Sequence, residues 1–173
     1  MAEFTIRGAR PADARAMARL MAAVAEERTG IATEPPVDLE ARTAQFERTA
    51  EESIVADAGG QIVGMIRVEV SRHGFGELGM LVDRAWRGRG VGSALMREAI
   101  GWSRSHGLHK LCLDVFPANA SAIALYRKCG FVEEGRHPKQ YRRASGELWD
   151  SISMGLQLEE TNVDLEQSFT VGG

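Results

Sequence analysis

The chain is poor in the residues that most often hold metals or form disulfides. Its 173 residues include 2 cysteines and 4 histidines. Cys112 lies inside an apolar segment and Cys129 lies near the end of a helical pattern, and neither has a partner in a C-x-x-C spacing. The histidines also lack the spacing of metal ligands. We therefore expect two buried thiols, no metal site and no dithiol redox pair.

The chain also lacks a long apolar run and an excess of positive charge. No run approaches the roughly 20 residues of a membrane-spanning helix. The N-terminus has no basic region followed by an apolar signal core, which predicts a cytoplasmic protein.

The net charge is −3, and residues 158–173 hold four acids (Glu159, Glu160, Asp164, Glu166) and no Lys or Arg. The remainder is near neutral, so we expect neither a nucleic-acid partner nor a membrane partner. The length predicts one domain over residues 1–157, followed by a disordered acidic tail over 158–173.

Apolar periodicity predicts an α/β fold with both parallel and antiparallel strand pairs. Helices are predicted from Pro11, from Asp38 to about Glu51, over 90–105 and over 119–128. Strands are predicted at 4–7, 54–56, 62–70, 76–82, 110–116, 131–134 and 148–154, the last two as an antiparallel pair. Residues 137–146 are predicted to be a basic, polar connection between that pair.

The most informative segment is a glycine-rich turn between a predicted strand and a predicted helix. Gly88, Gly90 and Gly92 stand at alternate positions directly before an apolar-periodic segment. Glycines let successive N–H groups point into one hollow, which the positive end of the helix dipole also faces. This predicts a seat for a phosphate or pyrophosphate. A P-loop is excluded because no lysine precedes Ser93, and the dinucleotide fingerprint is excluded because Gly92 follows Gly90 too closely.

A second motif follows at residues 111–131. It consists of an apolar strand, Asn119, a short helix reading A-x-x-L-Y that ends at Tyr126, and a Gly-Phe exit. Together with the R-x-x-G-x-G pattern of Arg87, Gly90 and Gly92, this order resembles the GCN5-related N-acetyltransferase (GNAT) superfamily over roughly residues 3–157.

The resemblance implies a mixed, mostly antiparallel central sheet flanked by helices, with a splayed parallel strand pair at the acyl-CoA site. It implies that acetyl-CoA is the co-substrate, with no metal, and that the acetyl group passes to a primary amine of a small molecule such as an amino acid. It also allows a homodimer. The implied cofactor-binding residues are Met80, Leu81, Val82, Arg87, Gly88, Arg89, Gly90, Val91, Gly92, Ser93, Asn119 and Tyr126.

Two alternative functions remain open at this point. The segment 113–131 also resembles ribosomal-protein alanine acetyltransferases, which act on a protein N-terminus. A non-catalytic acyl-CoA-binding regulator on the same fold is the other alternative. Such a regulator would be favoured if Tyr126, or both of the strand acids Glu77 and Asp114, were absent, and all three are present.

Three residues are the candidates for proton transfer. By resemblance, Tyr126 is the general acid that donates to the departing sulfur; the alternative is a tyrosine that only packs. An amine of pKa about 10.4 is free base in roughly one molecule in a few thousand at pH 7, so a base is needed. Glu77 and Asp114 each interrupt an apolar strand. We favour Glu77 over Asp114 as the base, and the remaining alternative is that neither has this role. Asn119 either contacts CoA or caps the following helix.

The acceptor is expected to bind at 24–46 and 137–149, by resemblance. Glu26, Glu27, Glu34 and Asp38 could attract a cationic amine, although a solvated helix face explains them as well. Arg142 or Arg143 could pair with a carboxylate.

Overall fold

A computed structural model describes residues 3–159 of the chain. The predicted tail over 158–173 therefore lies mostly outside the described residues. Within them, seven strands form one sheet and four α-helices flank it. The strands are β1 (Thr5–Gly8), β2 (Ser53–Ala58), β3 (Gln61–Val70), β4 (Phe75–Val82), β5 (Lys110–Val115), β6 (Val132–Arg142) and β7 (Leu148–Gln157). The helices are α1 (Ala14–Glu26), α2 (Leu39–Arg48), α3 (Val91–Ser105) and α4 (Ala120–Lys128).

The sheet is mostly antiparallel, as expected, in the order β1-β2-β3-β4-β5-β7-β6. Its one parallel pair among the described strands joins β4 to β5, and it extends only from Phe75 opposite Lys110 to Glu77 opposite Cys112. Beyond Glu77, β4 continues to pair with β3 as far as Val82, while β5 continues to pair with β7. The two strands therefore diverge in the middle of the sheet.

Each face of the sheet has its own apolar core. On one face α3 and α4 pack against the strands, and the buried residues include Leu95, Met96 and Tyr126. On the other face α1 and α2 bury residues such as Met17 and Phe46. Because side chains alternate along a strand, this arrangement assigns each strand residue to one of the two faces.

The prediction for the C-terminal hairpin was partly wrong. The antiparallel pair exists, but β6 continues to Arg142, where a polar connection over 137–146 was expected. Most side chains of β6 are exposed on both faces because it is an edge strand, so its sequence has no apolar alternation. Pairing with β7 and an ion pair between Arg136 and Asp150, with an Nη2–Oδ2 distance of 2.9 Å, hold it in the sheet.

Two further observations concern the helices and the side chains of residues 3–159. No helix among them is both long enough and apolar enough to cross a membrane. No three of their His, Cys, Asp and Glu side chains are grouped in a way that could hold a metal ion.

Candidate active site

A cavity of about 1000 Å³ opens where β4 and β5 diverge. It reaches from the glycine-rich turn at the start of α3, along the free edge of β4, to the space beneath the α1–α2 connection. Met80, Leu81 and Val82 of β4 all line it. The divergence exposes one backbone edge of β4, which an extended ligand could pair with as an added strand.

The glycine-rich turn forms one end of the cavity. Gly88 and Gly90 have φ angles of 72° and 84°, which glycine adopts readily and L-residues rarely do. Gly90 is the N-cap of α3 and, within residues 3–159, no side chain caps this helix. The first N–H groups of a helix have no intrahelical partner, so those of Gly90 through Ser93 are available to an anion.

Not every residue of the glycine-rich turn faces the cavity. Gly88, Gly90, Gly92, Ser93 and Arg87 line the cavity, whereas Arg89 and Val91 do not. The Arg89 guanidinium carbon lies 5.2 Å from the centre of the Trp86 ring, and the Val91 side chain is buried in the core. A contribution of Val91 to ligand binding would therefore come from its backbone.

The start of α4 borders the same cavity. Asn119 caps this helix, since its Oδ1 accepts from Ala122 N at 3.3 Å, and its Nδ2 donates to Gly30 O at 3.5 Å. The capping role considered for Asn119 is thus present in the structure. Its side chain also lines the cavity.

Tyr126 is both a core residue and a cavity residue. Its ring lies 6.0 Å from that of Phe131, and only 7% of the residue is exposed. Burial raises the pKa of Tyr126 to about 12. The hydroxyl therefore stays protonated at neutral pH and can act as a hydrogen-bond donor toward the cavity.

The two candidate bases face the same side of the sheet. Leu78 and Met80 pack on the α3 face and Leu81 on the α1 face, so Glu77 points to the α1 and α2 side. Asp114 lies between Leu113 and Val115, both buried on the α3 face, and so also points to the α1 and α2 side. Both carboxylates are exposed and line the cavity.

Cys112 lies on the same face of the sheet as these two carboxylates, since it pairs with Glu77 of β4 and is two residues from Asp114 in β5. Its thiol has a raised pKa, mainly because of burial and further because of Glu134, Glu77 and Asp114, while Lys110 acts in the opposite direction. It remains a free thiol, as does Cys129. The charges of Glu77 and Asp114 therefore both reach the Cys112 thiol, which lies at the place where the strands begin to diverge.

Polar and aromatic side chains also line this side of the cavity, beside apolar ones such as Met65 and Leu81. Some lie within the two regions predicted to bind the acceptor, namely Arg42, Gln45, Phe46 and Tyr141. Others lie outside those regions, namely Arg67 and Glu69 on β3 and Phe116 directly after β5. Burial raises the pKa of Tyr141, and the nearby Asp114 raises it further. Arg67 and Glu69 were missed from the sequence, although their alternation with apolar neighbours in β3 places both on one face.

Three of the acids considered for amine binding are already engaged by the protein. Glu27 pairs with Arg87, and Asp38 caps α2 by accepting from Ala41 N at 2.9 Å. Glu34 Oε1 lies 3.5 Å from Arg143 Nε, so the carboxylate that Arg143 meets is an internal one.

The chain resembles known acetyltransferases over most of its length. Residues 17–131 match the acetyltransferase (GNAT) family. The chain is 33% identical over 162 residues to the L-amino acid N-acetyltransferase AaaT of Escherichia coli (strain K12), covering 89% of this chain and 98% of the relative. Among solved structures, yncA from Salmonella typhimurium, solved with its cofactor acetyl-CoA, has a TM-score of 0.81 at 25% identity, over 92% of this chain and 96% of that one. A ribosomal-protein-alanine N-acetyltransferase from Brucella melitensis has a TM-score of 0.81 at 30% identity, over 88% and 99% of the two chains.

Proposed function

Because the chain belongs to the acetyltransferase (GNAT) family and is an acyl-CoA-dependent N-acyltransferase, we propose that it acetylates the primary amine of a small molecule that also carries a carboxylate, such as an amino acid. The observation that carries this proposal is that Arg42 shares one cavity with Glu77 and Asp114. A cation and two anions in one cavity match the two charged ends of an amino acid. Similarity to an L-amino acid N-acetyltransferase supports the same substrate class.

Three arginines line the cavity, and one of them, Arg87, is already paired with Glu27 at 2.7 Å. Of the other two, Arg42 is better able to bind a carboxylate. Its Nη1 donates to the neutral Gln45 Oε1 at 2.8 Å, and no acid lies within 4 Å of it among residues 3–159. Arg67, by contrast, already pairs with Glu52 at 3.0 Å and with Glu69 at 3.2 Å. A substrate carboxylate would therefore gain more from Arg42, whose charge no neighbouring acid offsets.

The remaining roles follow the geometry of the cavity. The free N–H groups of Gly90 through Ser93 hold the pyrophosphate, and the exposed edge of β4 at Met80–Val82 holds the extended arm. Acetyl-CoA supplies the thioester whose acetyl group passes to the nitrogen, with release of CoA as the thiol. Glu77, directly or through water, takes the proton that the ammonium must lose. The Tyr126 hydroxyl donates a hydrogen bond toward the sulfur as negative charge develops on it.

An acceptor panel tests the proposed function. The protein is incubated with acetyl-CoA and each L-amino acid, each matching amino acid amide, spermidine and an alanine-initiated peptide, and the free thiol released is measured. We expect at least one amino acid to be acetylated and its amide, which lacks the carboxylate, to be a poor acceptor. Equal activity on acid and amide would contradict the role given to the carboxylate.

A matched pair of variants assigns the carboxylate contact. Arg42→Met should raise the acceptor KM roughly tenfold or more, since a charged hydrogen bond is lost, and should leave the acetyl-CoA KM unchanged. Arg48→Met, which removes an exposed arginine outside the cavity in the same helix, is the control. An unchanged acceptor KM in Arg42→Met would remove Arg42 from the site.

Acetylation of a protein N-terminus is the second candidate, because a ribosomal-protein-alanine N-acetyltransferase is 30% identical over 88% of this chain. The alanine-initiated peptide in the panel separates the two. If the peptide is the preferred acceptor and free amino acids are inert, the second candidate replaces the first.

A further inference from the structure

Arg143 is a buried arginine in the turn between β6 and β7. Only 4% of the residue is exposed. Its backbone is fixed by the turn, since Arg143 N donates to Glu147 O and Gly146 N donates to Arg143 O, both at 2.8 Å. A buried charge is costly unless it is paired and hydrogen-bonded. The partners of this guanidinium therefore indicate what it is buried for.

All hydrogen-bond partners of the Arg143 guanidinium lie in the connection between α1 and α2. Nη1 donates to Ile31 O at 3.3 Å and to Ala32 O at 3.1 Å, and Nη2 donates to Arg28 O at 3.3 Å. Nε lies 3.5 Å from Glu34 Oε1. One side chain thus engages four residues of a segment more than a hundred positions away in sequence.

Aromatic rings hold the guanidinium in place from the side of the sheet. Its carbon lies 4.3 Å from the centre of the Trp149 ring and 5.3 Å from that of Phe116. Phe116 in turn packs edge-on against Trp149 and Tyr141, at centroid distances of 5.1 and 5.3 Å. The planar fork of arginine suits a site that combines stacking with several carbonyl acceptors, and lysine cannot provide both.

The segment that Arg143 holds has little support of its own. Within residues 3–159, the backbone groups of residues 29–37 make no hydrogen bond to another backbone group. Arg28 has a φ angle of 57°, unusual for a residue other than glycine, and its carbonyl is one of those that Arg143 satisfies. Side chains from elsewhere in the fold therefore determine the shape of this segment.

The same segment forms a wall of the cavity. Ile31, Ala32 and Thr33 line it together with Phe116 and Tyr141. We propose that Arg143 is a positioning residue, which holds the α1–α2 connection in the shape that binds the acceptor without itself contacting the acceptor. This rests on the proposed function, since it assumes that the amine binds beneath this wall.

The end of the segment nearest the glycine-rich turn is held by contacts that do not involve Arg143. The proposal therefore predicts an effect on the acceptor and not on acetyl-CoA. Glu27 is tied to Arg87 of the glycine-rich turn, and Gly30 O accepts from Asn119. Arg143 takes part in neither contact. Acceptor binding should therefore weaken while acetyl-CoA binding is retained.

The test compares Arg143→Met and Arg143→Lys with Arg142→Met. Arg142 is the adjacent arginine; it is exposed and is not among the residues that line the cavity, so it serves as the control. We expect the acceptor KM to rise roughly tenfold to a hundredfold in Arg143→Met, because small displacements of positioning groups have effects of that size. Arg143→Lys should recover part of the loss. The dissociation constant for CoA, measured by calorimetry, should not change in any of the three. An unchanged acceptor KM in Arg143→Met overturns the proposal.

A second measurement does not depend on turnover. Cleavage by trypsin after Arg28, followed by mass spectrometry, reports how firmly the segment is held. It should be faster in Arg143→Met than in the parent and unaffected in Arg142→Met. If Arg143→Met does not fold, Arg143→Lys and Glu34→Gln must each show a smaller rise in acceptor KM with CoA binding intact, and failure of both overturns the proposal. If the parent acetylates no amino acid, the proposed function fails, and the KM comparison is made with whichever amine it does use.

Discussion

The Arg87 guanidinium and the Glu27 carboxylate form a two-point ion pair, with Nη1–Oε2 and Nη2–Oε1 distances of 2.7 and 2.8 Å. Arg87 Nε also donates to Val82 O at 3.1 Å, so the side chain is held between α1 and β4. Both residues line the cavity beside the glycine-rich turn. The pair thus brings one positive and one negative charge to the place where a pyrophosphate is expected.

Glu27→Gln should bind CoA more tightly than the parent. The substitution removes a negative charge near an anionic ligand and leaves Arg87 anchored through Val82 O, so the gain is roughly twofold to fivefold at low salt. Added salt should reduce it, because the charges are partly exposed. Calorimetry at two ionic strengths measures this effect, and Glu26→Gln, with the same change of net charge outside the cavity, is the control. Weaker CoA binding in Glu27→Gln would mean that Glu27 is needed to hold the Arg87 side chain in its binding orientation.

Gly90→Ala should lower both stability and CoA affinity. An added Cβ meets no atom within 4 Å, so the cost comes from the φ angle of 84°, which disfavours an L-residue by about 1 kcal/mol. Relaxation of that angle would turn the first N–H groups of α3 away from the pyrophosphate. Urea unfolding and calorimetry measure the two effects.

Gly101→Ala is the matched control in the same helix. Gly101 lies in the interior of α3, and an added Cβ there also meets nothing within 4 Å. The alanine should raise the free energy of unfolding by about 0.5–1 kcal/mol and leave CoA binding unchanged. Similar effects at the two positions would show that the conformation of Gly90 has no special role.

The sequence was sufficient for the turn and the helices beside it because their signals are local. Gly88 and Gly90 have the positive φ angles expected of a curled turn, and α3 begins at Val91 directly after it. Asn119 precedes α4 as its cap. In each case, a few neighbouring residues determine the backbone, so a single sequence contains the information.

The acceptor side was harder to predict because its residues are joined by long-range contacts. From the sequence, Arg143 is expected to be an exposed charge in a polar hairpin. In the folded chain it is surrounded by Trp149, Phe116 and carbonyl groups of the α1–α2 connection. The sequence pattern suggested a carboxylate partner for Arg142 or Arg143, but not that the partner of Arg143 would be Glu34. Burial of a charged side chain is a property of the tertiary structure.

Tyr126→Phe should reduce turnover roughly tenfold or more, with CoA affinity nearly unchanged. The ring keeps its packing and only the hydroxyl is lost. With a pKa of about 12, the phenol is a much weaker acid than a thiol of pKa about 8.5. Its contribution should therefore come from hydrogen bonding to the developing thiolate rather than from early proton transfer. Steady-state kinetics and calorimetry test this, and a variant as fast as the parent would leave Tyr126 with packing alone.

The raised pKa of Tyr126 also predicts a dependence of stability on pH. The unfolded tyrosine loses its proton near pH 10, whereas the folded one retains it to about pH 12. Stability from this group is therefore complete below pH 10 and is lost as the pH rises toward 12. Between pH 9 and pH 11 the parent should lose about 1 kcal/mol more than Tyr126→Phe. Tyr141 is present in both proteins, so its titration cancels. Equal losses in urea unfolding would contradict the burial of the phenol.

Glu77→Gln and Asp114→Asn should differ in how turnover depends on pH. Glu77 is the last residue of β4 paired with β5 before the strands diverge, and we propose that the amine approaches the thioester there. Near neutral pH the amine is mostly protonated, so loss of the base should lower turnover strongly. As the pH approaches the pKa of the amine, the solvent supplies free amine, and the deficit of Glu77→Gln should shrink. Asp114→Asn should show a smaller deficit that does not shrink.

Because each variant removes one carboxylate from the same wall of the cavity, each is the control for the other's loss of charge. Recovery in Asp114→Asn alone would exchange the two assignments, and recovery in neither would mean that the amine arrives deprotonated from solvent.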